Sequence, residues 1–334
     1  MRVYLVTGAT GCIGAWTVAE LLREGERVVA LDVQPGPGRM RLLLEPVELE
    51  RVESVVGDVV EPAQLEAIVD GYEVTNVIHL AALQVPATHA DPRLGSLVNV
   101  TGTTNLFELA RTRPRLSHLV YASSVAALGD PGPSTLYGVF KRANEGAASV
   151  YWQTEGVSSI GLRPHTVYGV GRDQGLTSAP THAMLAAATG APYRIPFGGA
   201  LQLQYARDVA ASFIAASRLE YEGASVHNLG GTETTIGEVV DTIAEVVPES
   251  AGAIAHDGTP LPFPSGLDSS SFTELVGQLP ETPLVDGVRE TVRRFRELSL
   301  RDGHLADAVE GAQAPDPLLD RRVGHEERGD APSR

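Results

Sequence analysis

The chain alternates short apolar runs with stretches in which apolar positions recur every three or four residues. Residues 3–7, Val-Tyr-Leu-Val-Thr, form a continuous apolar run that stops at Gly8, the pattern of a strand covered on both faces. A helical period follows over residues 15–23. The rhythm then repeats, with strands expected at 27–32, 52–56, 74–80, 119–122 and 157–162. Helices are expected from Pro62 through Val69, over 94–109 and over 137–151. Pro62 suits a helix start, where its missing N–H would have had no intrahelical acceptor. Strands separated by helices imply right-handed crossovers and a mostly parallel sheet, an α/β fold. Past Pro164 the rhythm loosens into glycine-rich loops. Helices are expected there at 180–188, 206–218, 236–247 and 284–298, with short strands at 201–205 and 226–229.

Composition narrows the function classes. The 334 residues are 43% hydrophobic, enough for one large domain or a large domain with a smaller lobe. The 42 acidic residues outnumber 26 basic ones, for a net charge of -16, which disfavours nucleic-acid binding. Cys12 is the single cysteine, so no internal disulfide can form, and a cytoplasmic location is the simplest expectation. No secretory signal and no apolar run of membrane-spanning length is present, so no membrane association is expected. No Cys/His cluster has metal-ligand spacing, and no metal is expected. Residues 304–334 lose apolar periodicity and read as a flexible tail.

Gly8, Gly11 and Gly14 stand in a G-x-x-G-x-x-G spacing between the first strand and the first helix. Such a turn allows close backbone approach and points free N–H groups at a pyrophosphate, here across Thr10, Gly11, Cys12, Ile13 and Gly14. Asp32 ends the second strand, where a carboxylate accepts hydrogen bonds from ribose hydroxyls and repels a ribose phosphate. NAD is therefore favoured over NADP, with Arg39 and Arg41 as nearby cations that work against that preference. Asp58 and Val59 lie beyond the third strand, at the expected adenine end. Leu80, Ala81 and Ala82 follow the fourth strand and are small enough to pass beneath a dinucleotide. Asn99 is placed to tie a cofactor-bearing loop or the following helix. A purely structural role is open for Asn99, as local capping is for Asp32 and Asp58.

Tyr137 and Lys141 share one helix face at i and i+4. A lysine charge there stabilises a tyrosinate, which can take a proton from a substrate hydroxyl as hydride moves to NAD. An unaided phenol, with a pKa near ~10, could not do this at neutral pH. Ser123 and Ser124 follow the fifth strand. Ser124 is the first choice to orient the reacting oxygen, with Thr135 as an accessory near Tyr137. No nucleophile elbow surrounds these serines, which argues against acyl transfer.

Taken together, these segments resemble the extended short-chain dehydrogenase/reductase family, in its NAD-dependent epimerase/dehydratase branch. The matching segments are Thr7-Gly-Ala-Thr-Gly-Cys-Ile-Gly14, Asp32, Gly57-Asp58, His79-Leu-Ala-Ala82, Asn99, Ala122-Ser-Ser124, Tyr137-Gly-Val-Phe-Lys141, and Arg163-Pro164 with Val167-Tyr-Gly169. The resemblance implies a Rossmann-like sheet flanked by helices, mainly residues 1–165, and a smaller C-terminal substrate-binding lobe, mainly 166–300. It implies Ser124, Tyr137 and Lys141 as the catalytic group, Pro164 and Val167 beside the nicotinamide, and a homodimer. It also implies a sugar-like substrate. The segment 172–205 departs from the usual nucleotide-sugar pattern, so Arg172, Thr177, Ser178, Arg194 and Gln204 are the candidates for recognising a smaller sugar or its acid. The leading expectation is a sugar or nucleotide-sugar epimerase working through a keto intermediate. The alternatives are a net dehydrogenase of a sugar, sugar acid or other hydroxy compound, and a nonenzymatic NAD-responsive regulator. Retention of both Tyr137 and Lys141 argues against the last.

Overall fold

The computed structural model describes residues 2–302, except 117, 130, 131, 262, 263 and 265; the expected tail at 304–334 lies outside the described residues. The strands are β1 Val3–Thr7, β2 Arg27–Asp32, β3 Glu53–Val56, β4 Asn76–His79, β5 His118–Ala122, β6 Ser159–Arg163, β7 Thr166–Tyr168, β8 Tyr193–Ile195, β9 Ala200–Tyr205, β10 Ala224–Asn228, β11 Thr232–Thr235 and β12 Ile254–His256. The α-helices are α1 Cys12–Arg23, α2 Pro46–Leu49, α3 Pro62–Gly71, α4 Val85–Ala90, α5 Pro92–Ser96, α6 Gly102–Thr112, α7 Leu136–Glu155, α8 Ala179–Thr189, α9 Ala206–Ala216, α10 Ile236–Val246, α11 Ser270–Val276 and α12 Leu284–Asp302.

Seven strands form one parallel sheet in the order β10-β6-β5-β4-β1-β2-β3. The order reverses between β1 and β4, which opens a crevice at the carboxyl ends of the strands, where ligands bind in this architecture. Both faces of β1 are buried because successive side chains point to opposite sides. Val3 and Leu5 join one core with Leu31, Leu65, Phe107 and Tyr121, while Tyr4 and Val6 join the other with Trp16, Val28, Ile78 and Phe213. This double burial explains the unbroken apolar run. A three-stranded sheet, β11-β9-β7, and a β12-β8 pair lie outside the main sheet.

Two of the expected elements take a different form. The strand expected at 226–229 is β10, over 224–228, and it pairs with β6 as the outer strand of the main sheet. The single helix expected over 94–109 is α5, a π-helical segment at Leu97–Thr101, and α6. At that segment the Asn99 carbonyl accepts from Asn144 Nδ2 (2.8 Å) and Thr103 Oγ1 (2.8 Å). Gly102 then packs on Val59, whose Cγ2 would lie 2.6 Å from an added Cβ. No helix among the described residues is long and apolar enough to cross a membrane.

Candidate active site

The β1–α1 turn is shaped by contacts that only glycine permits. Gly8 has φ 68°, and a Cβ there would lie 2.7 Å from Ala81 N, because the segment after β4 crosses directly over it. A Cβ on Gly14 would lie 2.1 Å from Gly8 O, so the first turn of α1 is pressed onto β1. Thr7 Oγ1 accepts from Leu80 N and Ala81 N, fixing the crossing segment. The N-cap of α1 is Gly11, with no side-chain cap and no acidic residue in the first turn. The leading N–H groups thus face the cavity with a positive end, as a phosphate requires.

This turn is one wall of a cavity of about 870 Å³, also lined by Asp32, Asp58, Val59, Leu80, Ala81, Ala82, Ser124, Tyr137, Lys141, Pro164, Val167, Arg172 and Thr177. Asp32 Oδ2 accepts from Thr10 N (3.0 Å) and Oδ1 from Gln34 N (3.2 Å), which aims the carboxylate along the wall and leaves further lone pairs for ribose hydroxyls. Arg39 does not supply a free cation beside it. Its guanidinium pairs with Asp173 at 2.6 Å and donates to Thr10 O. Asp58 Oδ1 caps the turn before α3 by accepting from Val60 N, while the residue lines the same wall. The donors, the tight glycine cradle and the ribose carboxylate fit a dinucleotide without a ribose phosphate.

The groups expected to react come from α7 and the end of β5. Thr135 caps α7 by accepting from Gly138 N, and Tyr137 falls in the first turn. Gly138 permits the approach that matters, since a Cβ there would lie 2.0 Å from Ala126 O. The helix start can therefore press against the turn after Ser124, which brings the Ser124 hydroxyl near the Tyr137 phenol. Burial raises the Tyr137 pKa; the Ser124 hydroxyl and the Arg172 charge pull it down. Lys141 Nζ lies 5.6 Å from the Tyr137 ring centroid and donates to Ala122 O at 2.6 Å. Lys141 is buried, and desolvation lowers its pKa to about 8, against an opposing pull from Glu145. Glu145 continues the same helix face at i+4 from Lys141. It pairs with Arg163 through both oxygens (2.7 and 2.6 Å) and accepts from Ser123. Ser123 is thus committed to that network, and Ser124 is the serine at the phenol.

A buried polar chain supports this floor. His79 bridges Thr7 (2.7 Å) and Thr103 (3.0 Å), and burial depresses its pKa to about 3, so it is neutral across the physiological range. Thr103 and Asn144 meet the Asn99 carbonyl, linking β1, β4, α6 and α7.

Several expected contacts are corrected by the structure. Asn99 is buried away from the cavity lining. Its side chain accepts from Leu83 N and donates to Leu83 O and Thr88 Oγ1, so it ties the loop from behind and is not itself part of the lining. Thr135 is a helix cap outside the lining. Ser178 is buried and donates to Gly175 O, closing a turn. Arg194 is exposed and paired with Asp257 at 2.6 Å. Gln204 is buried, accepting from His165 N and donating to Leu229 O and Gly230 O, so it holds the 164–167 segment through its backbone. Of the five substrate candidates from 172–205, only Arg172 and Thr177 line the cavity. Gln84 and His165 also line the cavity, and Glu145 and Gly138 stand behind it, none of them among the expected site residues. Gly138, inside the Tyr-x-x-x-Lys spacing, carried a signal of close packing; Gln84 carried none.

Comparison with known proteins agrees with this geometry. UDP-glucose 4-epimerase of Mycolicibacterium smegmatis is 29% identical over 322 residues, 88% of this chain and 99% of that protein. UDP-glucuronate 4-epimerase 5 of Arabidopsis thaliana is 34% identical over 184 residues, 49% of this chain and 42% of that protein. The crystal structure of Thermus thermophilus UDP-glucose 4-epimerase in complex with NAD superposes with a TM-score of 0.74 at 26% identity, covering 88% of this chain and 99% of that one. The family profile described as "Epimerase: NAD dependent epimerase/dehydratase family" matches residues 4–230. The chain is an NAD-dependent enzyme and belongs to the NAD dependent epimerase/dehydratase family.

Proposed function

We propose that the protein is a sugar or nucleotide-sugar epimerase that oxidises a ring hydroxyl to a ketone and reduces it again from the other face. The observation that carries this reading is the grouping of Ser124, Tyr137 and Lys141 in the cavity walled by the glycine turn. Bound NAD supplies the hydride acceptor for oxidation and the hydride donor for the return. Ser124 orients the substrate hydroxyl against the Tyr137 oxygen. Tyr137 takes the hydroxyl proton as the carbon loses hydride, and gives it back to the ketone oxygen on reduction. The Lys141 charge and the N-terminal end of α7 both favour the phenolate this requires. Leu80, Ala81, Ala82 and Val167 give apolar walls that keep water from the exposed ketone. The full-length similarity to a UDP-glucose 4-epimerase supports this class of substrate.

A net dehydrogenase of a free sugar or sugar acid is the second reading. It is favoured by the sparse cationic lining. Among the described lining residues, Arg39 is paired with Asp173 and Lys141 donates to a carbonyl, while Arg194 lies outside, so Arg172 is left as a single free charge where a nucleotide diphosphate carries two. The two readings separate in one assay. Purified protein with NAD and a panel of nucleotide sugars, free sugars and sugar acids is followed by NADH absorbance and chiral separation. Stereoisomer conversion without net NADH supports epimerisation. NADH accumulating in proportion to product rejects it in favour of dehydrogenation. We also propose a homodimer through α6, α7 and the segment before them, where Leu94, Leu97, Val139 and Val150 are exposed. A solution mass of one chain rejects that pairing.

A further inference from the structure

The cavity holds a guanidinium with no carboxylate paired to it among the described residues. Arg172 donates from Nη1 to Gln84 Oε1 (3.3 Å) and from Nη2 to Thr177 Oγ1 (3.0 Å), which holds its plane between the segment after β4 and the loop before α8. Gly175 makes room for this bridge, since a Cβ there would lie 2.3 Å from Gln84 Oε1 and 3.3 Å from Arg172 Nη2. The Arg172 Nε–H is buried with no acceptor among the described residues.

The nearby acidic groups do not neutralise it. Asp173 is taken by Nε and Nη2 of Arg39. Cys12 and Tyr137 are close enough to exchange charge effects with Arg172, but burial raises both pKa values, Cys12 to about 11, so both are neutral at pH 7. Arg39 adds a like charge. A guanidinium keeps its proton under these conditions. Two neutral hydrogen bonds return only part of the cost of desolvating such a charge. An anion on the ligand would return the rest, and the planar fork of arginine matches a carboxylate.

Resting on the reading of this site as one that oxidises a substrate hydroxyl, we propose that Arg172 selects a carboxylate on the substrate. The substrate class is then a sugar acid, whose carboxylate pairs with Arg172 while its hydroxyl meets Ser124 and Tyr137. Gln84 and Thr177 are positioning residues that hold the guanidinium in place.

The test uses the full chain saturated with NAD and isothermal titration calorimetry with galacturonate against galactose, and glucuronate against glucose. A charge-assisted hydrogen bond predicts that at least one acid binds about tenfold or more tightly than its neutral counterpart. Arg172→Gln should remove that difference, Arg172→Lys should recover part of it, and NAD affinity should stay within about twofold in both variants. Failure of both acids to bind, or equal binding of acid and sugar, overturns the proposal. A large loss of NAD affinity in Arg172→Gln overturns it too, because it assigns the guanidinium to the dinucleotide diphosphate. Turnover read in parallel separates the two ideas. Tyr137-dependent turnover with no preference for acids leaves the hydroxyl-oxidation reading standing and rejects the carboxylate. Acid binding that depends on Arg172 without NADH formation or stereochemical conversion does the reverse.

Discussion

Lys141 is the only lysine in the 334 residues, which makes its charge state directly measurable. Its side chain is buried, with 2% of its surface exposed, and among the described residues Nζ has one close acceptor, Ala122 O. Around it stand the Tyr137 ring, the neutral His79 and the Glu145 carboxylate. Desolvation outweighs the carboxylate and brings the pKa from an ordinary 10.5 to about 8. That difference corresponds to about 3 kcal/mol between the two protonation states. The folded chain therefore binds fewer protons than the unfolded one between about pH 8 and 10.5. Stability from this group rises with pH across that window, and the cost of burying the charge is fully present below it. Labelling with ¹⁵N-lysine gives a single Nζ resonance to follow against pH, without assignment. The expected midpoint is about 8, moving lower in Glu145→Gln because the compensating carboxylate is gone. In that variant the high-pH limb of the activity profile should move in the same direction. A midpoint at or above the ordinary lysine value would refute the dominance of desolvation. A midpoint unchanged in Glu145→Gln would refute the role given to the carboxylate.

Tyr137→Phe should lower turnover by about 10²–10⁴-fold, the usual contribution of a positioned acid/base, while NAD affinity measured by calorimetry stays nearly unchanged. Unimpaired turnover removes Tyr137 from the proton-transfer role. Gly138→Ala places a Cβ 2.0 Å from Ala126 O and should cost about 1–3 kcal/mol in urea denaturation, together with a fall in kcat as Tyr137 moves off Ser124. A fully stable, active variant would show that the close approach is dispensable. Asp32→Ala removes the acceptor for Thr10 N as well as the carboxylate proposed to meet the ribose, so NAD affinity should fall by about tenfold or more and the NAD/NADP ratio should narrow. Equal preference before and after the change would contradict the ribose assignment.

What could be read from the order of residues was what depends on short-range spacing. Gly8, Gly11 and Gly14 between an apolar strand and a helix define a turn within a few residues, and Tyr137 and Lys141 share a face because helical geometry alone puts i and i+4 together. Asp32 was legible for the same reason, as the end of a strand next to that turn. Long-range contacts decided the rest. Arg194 and Gln204 are polar residues in a substrate-facing segment by sequence, yet one pairs with Asp257 and the other with three backbone groups near 165 and 230. β7, β8, β11 and β12 are only three or four residues long, too short for a period to emerge, and exist through their partners. Asn99 was visible as a residue that ties, but its direction toward Leu83 depends on the π-helical segment, whose freed carbonyl is met by Asn144. The lack of a paired carboxylate at Arg172 among the described residues is the clearest case. Asp173 stands next to it in the chain, and only the fold shows that this carboxylate belongs to Arg39, because an ion pair is settled by which guanidinium the backbone brings within reach.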